Sequence, residues 1–154
     1  LPIYKNMIPY NYTLISAAAS WFAAQFIKTI IHAIKYKTFN PERLFGSGGM
    51  PSSHSALVCA ATLACGRSQG IESVSFAIMF LVAMVVMYDA MGVRRAAGLH
   101  ARELNKIRDI ILERNEINEK TKKLKEYIGH TPLEVLGGAI LGIFISLIMP
   151  VTIG

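Results

Sequence analysis

The chain has 154 residues, of which 53% are hydrophobic and 17% are charged, and it carries a formal net charge of +6. Soluble domains carry about 25% charged residues, so this composition indicates a membrane protein whose basic residues collect on one side of the bilayer. The basic residues share their segment with many acidic ones, and no aromatic platform is interleaved with them, which argues against a nucleic-acid partner. We therefore expect membrane lipids around this chain.

Four apolar segments predict an all-α integral membrane bundle with about four transmembrane helices, at 12–34, 55–66, 74–93 and 132–148. The first segment contains a single charge, Lys28, and is long enough to span a hydrocarbon core of about 30 Å. The second segment is shorter and consists mainly of small residues. The fourth carries glycines that favour close helix packing and point to a homo-oligomer, namely Gly137, Gly138 and Gly142.

The stretch between the third and fourth apolar segments has a different composition. It holds ten Lys or Arg residues against six acidic residues. Apolar residues at helical spacing predict that it forms one or two amphipathic helices outside the bilayer. These residues are Leu104, Ile107 and Ile111, followed by Leu124 and Ile128. The chain has no repeat or low-complexity tract, so we interpret 1–154 as one domain with a helical insertion at about 94–130.

The distribution of charge predicts the orientation in the membrane. Basic residues in short loops favour the cytoplasmic side. The loop at 35–43 and the insertion are both basic, whereas the turn between the second and third segments carries only Arg67 and Glu72. Four crossings place the two basic loops on the same side. We therefore predict a protein of the cell's cytoplasmic membrane with both large loops, and the site they carry, facing the cytoplasm.

Chemically active side chains lie at the segment ends that this topology brings to one membrane face. Cations and the free amides of a glycine- and serine-rich helix start can hold a phosphate. Two histidines can share phosphoryl transfer, one as nucleophile and the other as general acid and base, while a carboxylate four residues later orients the nucleophile. The candidate residues are Lys28, Arg43, Ser52, Ser53, His54, Asp89, Arg94, Arg95, His130 and Glu134.

Each of these residues also has a structural interpretation. Ser52 or Ser53 could be a helix N-cap, and the sequence "TPLE" fits a capping box that would use the same Glu134 carboxylate. Lys28 could extend its ammonium to the membrane interface, and Asp89 could pair with it or with a nearby arginine. Arg94 and Arg95 could be orientation signals. The placement of all of them at one face favours the functional interpretation.

Two motifs, "MPSSHSA" and "HTPLE", resemble the type 2 phosphatidic acid phosphatase superfamily, which includes the vanadium-dependent haloperoxidases. Together with "DAMGVRRAAG", the chain looks like the divergent bacterial and plastid branch of that superfamily. The resemblance implies that His130 is the nucleophile, that Glu134 replaces the Asp that orients it, and that His54 is the general acid. Ser53 stands where the superfamily motif Pro-Ser-Gly-His has glycine.

The resemblance also implies which residues hold phosphate: Lys28, Arg43, Ser52, the Ser53 amide, and either Arg94 or Arg95. The chain departs from the superfamily at two places. Arg43 is followed by Leu rather than Pro, and no Ser-Arg pair stands just before His130. Because cations supply positive charge to the phosphate, the chemistry requires no metal or other cofactor.

The resulting expectation is a membrane-embedded, metal-independent lipid phosphatase that acts through a phosphohistidine. A cytoplasmic site favours a phosphomonoester made on the inner leaflet, such as phosphatidylglycerophosphate. One alternative is a phosphatase for undecaprenyl pyrophosphate or another isoprenoid phosphate. Another is a non-catalytic membrane protein that uses the same pocket to bind an anionic lipid head group.

Overall fold

The computed structural model describes residues 11–37, 49–114, 122–126 and 128–150. Five helices account for most of these residues, and none of the described residues lies in a strand. In chain order the helices are α1 (Tyr12–Tyr36), α2 (Ser53–Gln69), α3 (Val74–Met91), α4 (Val93–Arg114) and α5 (Pro132–Ile148). The predicted all-α class is therefore confirmed.

Four helices begin at a residue whose side-chain oxygen accepts a hydrogen bond from a first-turn amide. These N-caps are Asn11, Ser52, Ser73 and Thr131. A helix start leaves its first amides without partners inside the helix, and one such cap contributes about 1 kcal/mol to stability. The caps explain why the apolar segments begin as helices where they do.

Helix α2 is the centre of the bundle and packs against α1, α3 and α5. Its alanines Ala56, Ala60 and Ala64 are fully buried, which is why this helix has such small side chains. A Cβ atom at Gly138 would overlap the Ser52 carbonyl, and one at Gly142 would overlap the Ala56 carbonyl. These glycines therefore allow α5 to approach α2 within the same chain, as small residues do between membrane helices.

The relative direction of the helices follows from contacts at their two ends. At one end, Arg67 of α2 donates hydrogen bonds to the Tyr12 hydroxyl (2.5 Å) and the Met149 carbonyl (3.2 Å). At the other end, the Ser52 amide donates to the Glu134 carbonyl at 2.9 Å. Consequently α5 runs parallel to α2, whereas α1 runs antiparallel to it. The candidate residues that the structure describes lie at the end that carries Ser52.

The insertion differs from the sequence prediction in its second half. Helix α4 follows α3 after Gly92 and contains Leu104, Ile107 and Ile111, but Leu124 and Ile128 lie in non-helical backbone. The prediction that Leu124 and Ile128 continue a helix was wrong. The physical reason is Asn105, whose side chain accepts from the Leu124 amide and donates to the Leu124 carbonyl, both at 2.9 Å. At Leu124 these two side-chain hydrogen bonds take the place of helical backbone bonds.

Two helical segments are long and apolar enough to cross a membrane by length and composition: Tyr12–Tyr36 and the segment Val74–Arg114 that combines α3 and α4. Helix α5 is apolar but shorter, with 17 residues. Within α3, large apolar side chains such as Phe80, Leu81 and Val85 are at least half exposed. An apolar helix with so little of its surface covered by protein fits a lipid environment better than water.

Candidate functional site

Two backbone hydrogen bonds join the parts of the chain that carry the two histidines. The Ser52 amide, at the start of α2, donates to the Glu134 carbonyl in the first turn of α5 at 2.9 Å. The His130 amide donates to the carbonyl of Ala90, in the last turn of α3, also at 2.9 Å. The last carbonyls of a helix have no partner inside it, so His130 uses one of them as an anchor. Three helix ends thereby meet at His130.

His130 is held by the carboxylate of Glu134. Its Nδ1 atom lies 3.1 Å from Glu134 Oε2, and its side chain is almost fully buried. The same Oε2 atom accepts a hydrogen bond from the Thr131 amide at 3.0 Å and so completes the capping box of α5. From the sequence alone, closing the cap and orienting the histidine are two competing roles for this carboxylate. In the structure a single oxygen fulfils both.

His54 faces His130 across a small cavity. The centroids of the two imidazole rings are 6.4 Å apart. Both rings, together with Arg94, line a cavity of about 60 Å³. His54 is the second residue of α2, so the direction of its side chain is set by the Ser52 cap. The structure therefore brings the two predicted histidines together around a common space.

Arg94 and Arg95 line different cavities on the two sides of His130. Arg94 shares the cavity of His54, and its Nε atom forms an ion pair with Asp89 Oδ2 at 2.6 Å. Arg95 lines a neighbouring cavity of about 190 Å³ together with Glu134 and His130. The structure thus places Arg94, but not Arg95, in the cavity shared by both histidines. Asp89 pairs with an arginine, which is one of the two partners that the sequence suggested for it.

Lys28 lies close to Gly49, three residues before the N-cap of α2. Its side chain is only 4% exposed, and a Cβ atom at Gly49 would lie 3.5 Å from Lys28 Cγ. Because position 49 is a glycine, the backbone there lies close to the aliphatic part of the Lys28 side chain. The position of Lys28 brings a buried positive charge near the two histidines.

The environment of His130 keeps its imidazole neutral at neutral pH. Burial has the largest effect on the pKa of His130 and lowers it. The hydrogen bond and charge of Glu134 raise the pKa, while the positive charges of Lys28 and Arg94 lower it again. The net result is a pKa below the usual value for histidine. A neutral imidazole has a lone pair available for chemistry.

Ser52 and Ser53 are both buried at the start of α2. The Ser52 hydroxyl accepts hydrogen bonds from the amide (3.4 Å) and the hydroxyl (3.1 Å) of Ser55, so it acts as the N-cap. Ser53 is the first residue of the helix, where a backbone amide has no acceptor inside the helix. The positive end of α2 therefore lies next to His54, which lines the cavity, whereas neither serine is among the residues that line it.

Gly129 was not among the predicted site residues, although it determines where His130 lies. Its φ angle is +86°, and a Cβ atom there would overlap the backbone of Arg95. Only glycine combines this conformation with so close an approach to the start of α4. The signal in the sequence was a glycine directly before a candidate histidine in a segment between helices.

The remaining predicted site residue, Arg43, lies outside the described residues. Among the described residues there is no group of three His, Cys, Asp or Glu side chains that could hold a metal ion. The chemistry available to the described site is therefore that of two histidines, one carboxylate, nearby cations and a helix start.

The fold and the site define an all-helical protein in which a carboxylate-held histidine and a second histidine share a cation-lined cavity at one end of a bundle. Residues 10–145 match the divergent PAP2 family. The chain belongs to this family, and the resemblance seen in "MPSSHSA" and "HTPLE" is confirmed. The chain is also similar to the "Uncharacterized membrane protein YuiD" of Bacillus subtilis (strain 168), with 37% identity over 151 residues that cover 90% of this chain and 94% of that protein. No solved structure matches the chain.

Proposed function

We propose that the protein is an integral membrane phosphatase that hydrolyses a lipid phosphomonoester through a phosphohistidine at His130. The observation that carries this proposal is the pairing of a carboxylate-held, buried histidine with a second histidine across a cavity that also contains Arg94. Membership of the divergent PAP2 family supports phosphatase chemistry. The exposed apolar surface of α3, and the word "membrane" in the name of the related Bacillus protein, support the location.

In this proposal Glu134 fixes the tautomer of His130. An ionised carboxylate only accepts hydrogen bonds, so the atom 3.1 Å from it, Nδ1, carries the proton. The lone pair then resides on Nε2, which is free to attack phosphorus. Attack forms an N–P bond while the bond from phosphorus to the leaving alkoxide oxygen breaks. Burial assists this step because it favours the neutral, nucleophilic imidazole.

His54 supplies the proton transfers. As the leaving oxygen departs, His54 in its imidazolium form donates a proton to it. Burial and the positive charge of Arg94 lower the pKa of His54, so this form is the minor one at neutral pH. The neutral His54 then removes a proton from water, and the resulting hydroxide attacks phosphorus and breaks the N–P bond. The products are the dephosphorylated lipid and inorganic phosphate, and both histidines return to their initial states. The two rings are tilted by 60° to each other, with centroids 6.4 Å apart, and both line the cavity of about 60 Å³ in which we place the phosphoryl group.

Positive charge stabilises the phosphoryl group during both steps. Arg94 lines the cavity, Lys28 contributes a buried positive charge nearby, and the start of α2 adds its amides, including that of Ser53. Preorganised donors of this kind are typically the largest contribution to such catalysis. We also assign Arg43 to this set on the resemblance alone.

The substrate proposal rests on orientation. The basic loops favour a site at the cytoplasmic face, and in this proposal a phosphomonoester of the inner leaflet such as phosphatidylglycerophosphate reaches it there. Isoprenoid phosphates and pyrophosphates carry the same reacting group and are therefore the natural comparison substrates.

The experiment is to incubate purified protein, without added metal and with chelator, with a panel of these lipid phosphates and to measure released phosphate. We expect release from at least one of them and loss of at least about 10³-fold of the rate in His130→Ala. A substrate with a radiolabelled phosphate should label the wild-type chain with the acid-labile, alkali-stable behaviour of phosphohistidine. Phosphate release that persists in His130→Ala would contradict the mechanism, and binding without release would favour a lipid-binding protein instead.

A further inference from the structure

Helix α4 carries apolar side chains that are largely exposed. Leu104 and Ile107 are each more than 50% exposed, and Val93, at the start of the helix, is 70% exposed. Their spacing of three and eleven residues places them on one side of a helix with about 3.6 residues per turn. We call these three residues the outer face of α4.

Another side of α4 is buried against the same chain. Gly98, Ala101 and Asn105 are buried, and Asn105 binds the extended segment at Leu124. A Cβ atom at Gly98 would overlap the Ile128 and Glu126 carbonyls. Residues 122–126 and 128–130 therefore cover one side of α4 and, among the described residues, leave the outer face uncovered.

The charge of α4 indicates what covers the outer face. The helix contains six basic residues, Arg94, Arg95, Arg102, Lys106, Arg108 and Arg114, against the three acidic residues Glu103, Asp109 and Glu113. Lys122, Lys123 and Lys125 follow in the segment that packs beside it. A second copy of the chain on this face would bring two positively charged helices together, whereas an anionic lipid surface is attracted to them.

The connection of α4 to α3 places the helix at the bilayer surface. Helix α3 ends at Met91 and α4 begins at Val93, so a single residue separates a strongly apolar helix from the amphipathic one. A connection this short cannot carry α4 away from the plane at which α3 leaves the lipid. An apolar stripe flanked by cations, located there, matches a helix that lies in the membrane interface.

We infer that α4 is an interfacial helix that lies on an anionic membrane surface, with its outer face in the acyl-chain boundary and its cations among the lipid head groups. This interaction surface is separate from the proposed hydrolysis and exists whether or not the histidines are catalytic. Because Arg94 and Arg95 stand at the first turn of the same helix, the surface would also gather anionic lipids beside the cavity that contains His54 and His130.

The test uses the single tryptophan of the chain, Trp21. In a Trp21→Phe background, a tryptophan is placed either on the outer face, as Leu104→Trp, or on the polar side, as Glu113→Trp. The two positions are nine residues apart, which is about two and a half turns and therefore opposite sides of the helix. Both side chains are exposed, so neither variant disturbs a core. Glu113→Trp removes an acidic residue, so this control does not weaken attraction to anionic lipid.

The full chain is reconstituted in vesicles of phosphatidylcholine, with or without phosphatidylglycerol, and fluorescence is quenched by brominated acyl chains or by aqueous iodide. In phosphatidylglycerol vesicles we expect bromine to quench Leu104→Trp at least about twofold more than Glu113→Trp, and iodide to show the reverse order. Omitting phosphatidylglycerol, or adding salt, should reduce the bromine quenching of Leu104→Trp. Ile107→Trp serves as a second probe of the outer face.

Three results would overturn the inference. Equal quenching of the two positions by both agents would show that α4 does not lie in the interface. Protection of Leu104→Trp from both bromine and iodide, with crosslinking between chains through Leu104→Cys in a chain whose Cys59 and Cys65 are serines, would show that a second copy covers the outer face. Bromine quenching that is unchanged when phosphatidylglycerol is omitted would exclude attraction to anionic lipid.

Discussion

Glu134 Oε2 lies 3.1 Å from Nδ1 of His130, and the same oxygen closes the capping box of α5. A single carboxylate oxygen thus links the stability of a helix start to the orientation of an imidazole. Because the hydrogen-bond partners are a backbone amide and a ring nitrogen, the two roles can be separated by substitution.

Glu134→Gln is expected to retain the cap and lose the activity. Glutamine also completes a capping box, so unfolding stability in detergent should change by less than about 1 kcal/mol. The neutral amide no longer stabilises the imidazolium character that develops on His130, and it can also select the wrong tautomer. We expect phosphate release to fall by about 10²- to 10⁴-fold, by the same logic that applies to the acid of a catalytic triad.

Glu134→Ala is the matched variant because it removes both roles. It should reduce activity at least as much and also lower the stability by about 1 kcal/mol. The interpretation fails if Glu134→Gln retains wild-type activity, or if the two variants lose activity only in proportion to lost stability.

Arg94 is expected to matter more for catalysis than its neighbour Arg95, because only Arg94 lines the cavity that holds both histidines. Its ion pair with Asp89 is largely exposed, so breaking it should cost at most about 1 kcal/mol of stability. Arg94→Ala should lower kcat/KM by about 10²-fold, as for the loss of one preorganised donor. Arg95→Ala, measured under the same conditions, should lower it by less than about 10-fold. The reverse order would assign the phosphate to the cavity of Arg95.

Much of the fold could be predicted because it depends on local signals. Helix α5 runs from Pro132 to Ile148, as its apolar run and "TPLE" cap predicted. The short second segment was also predicted as a helix, but α2 begins two residues earlier because Ser52 is its cap. The helical prediction for Leu124 and Ile128 was incorrect, since the contact that fixes Leu124 joins it to Asn105, nineteen residues away. Periodicity detects a helix face and does not detect such a side-chain anchor.

In the candidate site, too, local signals could be predicted and contacts between distant residues could not. The motifs identified His54, His130 and Glu134, because each lies directly at a helix start with a recognisable pattern. Whether Arg94 or Arg95 joins them depends on a rotation of about 100° along α4, which spacing alone could not assign. Gly129 was missed because its importance comes from the backbone of α4 passing beside it, a contact between segments far apart in sequence.

The pH dependence of activity should reflect the lowered pKa of His130. Burial lowers this pKa, so the neutral, nucleophilic form persists below the usual histidine value of about 6.5. The acid limb of the pH profile, where kcat/KM falls because His130 becomes protonated, should therefore lie below about pH 6.5. Because the hydrogen bond and charge of Glu134 raise the pKa, Glu134→Gln should shift this limb to still lower pH.

The lowered pKa of His130 also makes the stability of the folded chain depend on pH. Its folded-state pKa lies below its unfolded value, so the unfolded chain binds more protons between the two values. The contribution of neutral His130 to stability is therefore present above about pH 6.5 and is lost as the pH falls through this window. Parallel pH profiles of activity and unfolding for wild type and Glu134→Gln check both statements. An acid limb that moves to higher pH in the variant would contradict them.

Gly129→Ala is expected to disrupt the site through the backbone rather than through chemistry. The residue has φ of +86°, and an added Cβ would overlap the backbone of Arg95 at the start of α4. A left-handed conformation costs a non-glycine residue about 1–2 kcal/mol, and overpacking adds about 1–3 kcal/mol.

Gly70→Ala provides a matched control, since Gly70 has φ of +87° but nothing lies within 4 Å of its added Cβ. Gly70→Ala should therefore cost only the backbone strain of about 1–3 kcal/mol and leave activity per folded molecule unchanged. Gly129→Ala should lose more stability than the control and also lose activity in the molecules that remain folded, because His130 is displaced from His54. Equal stability losses with full activity in both variants would show that the close approach at Gly129 does not position His130.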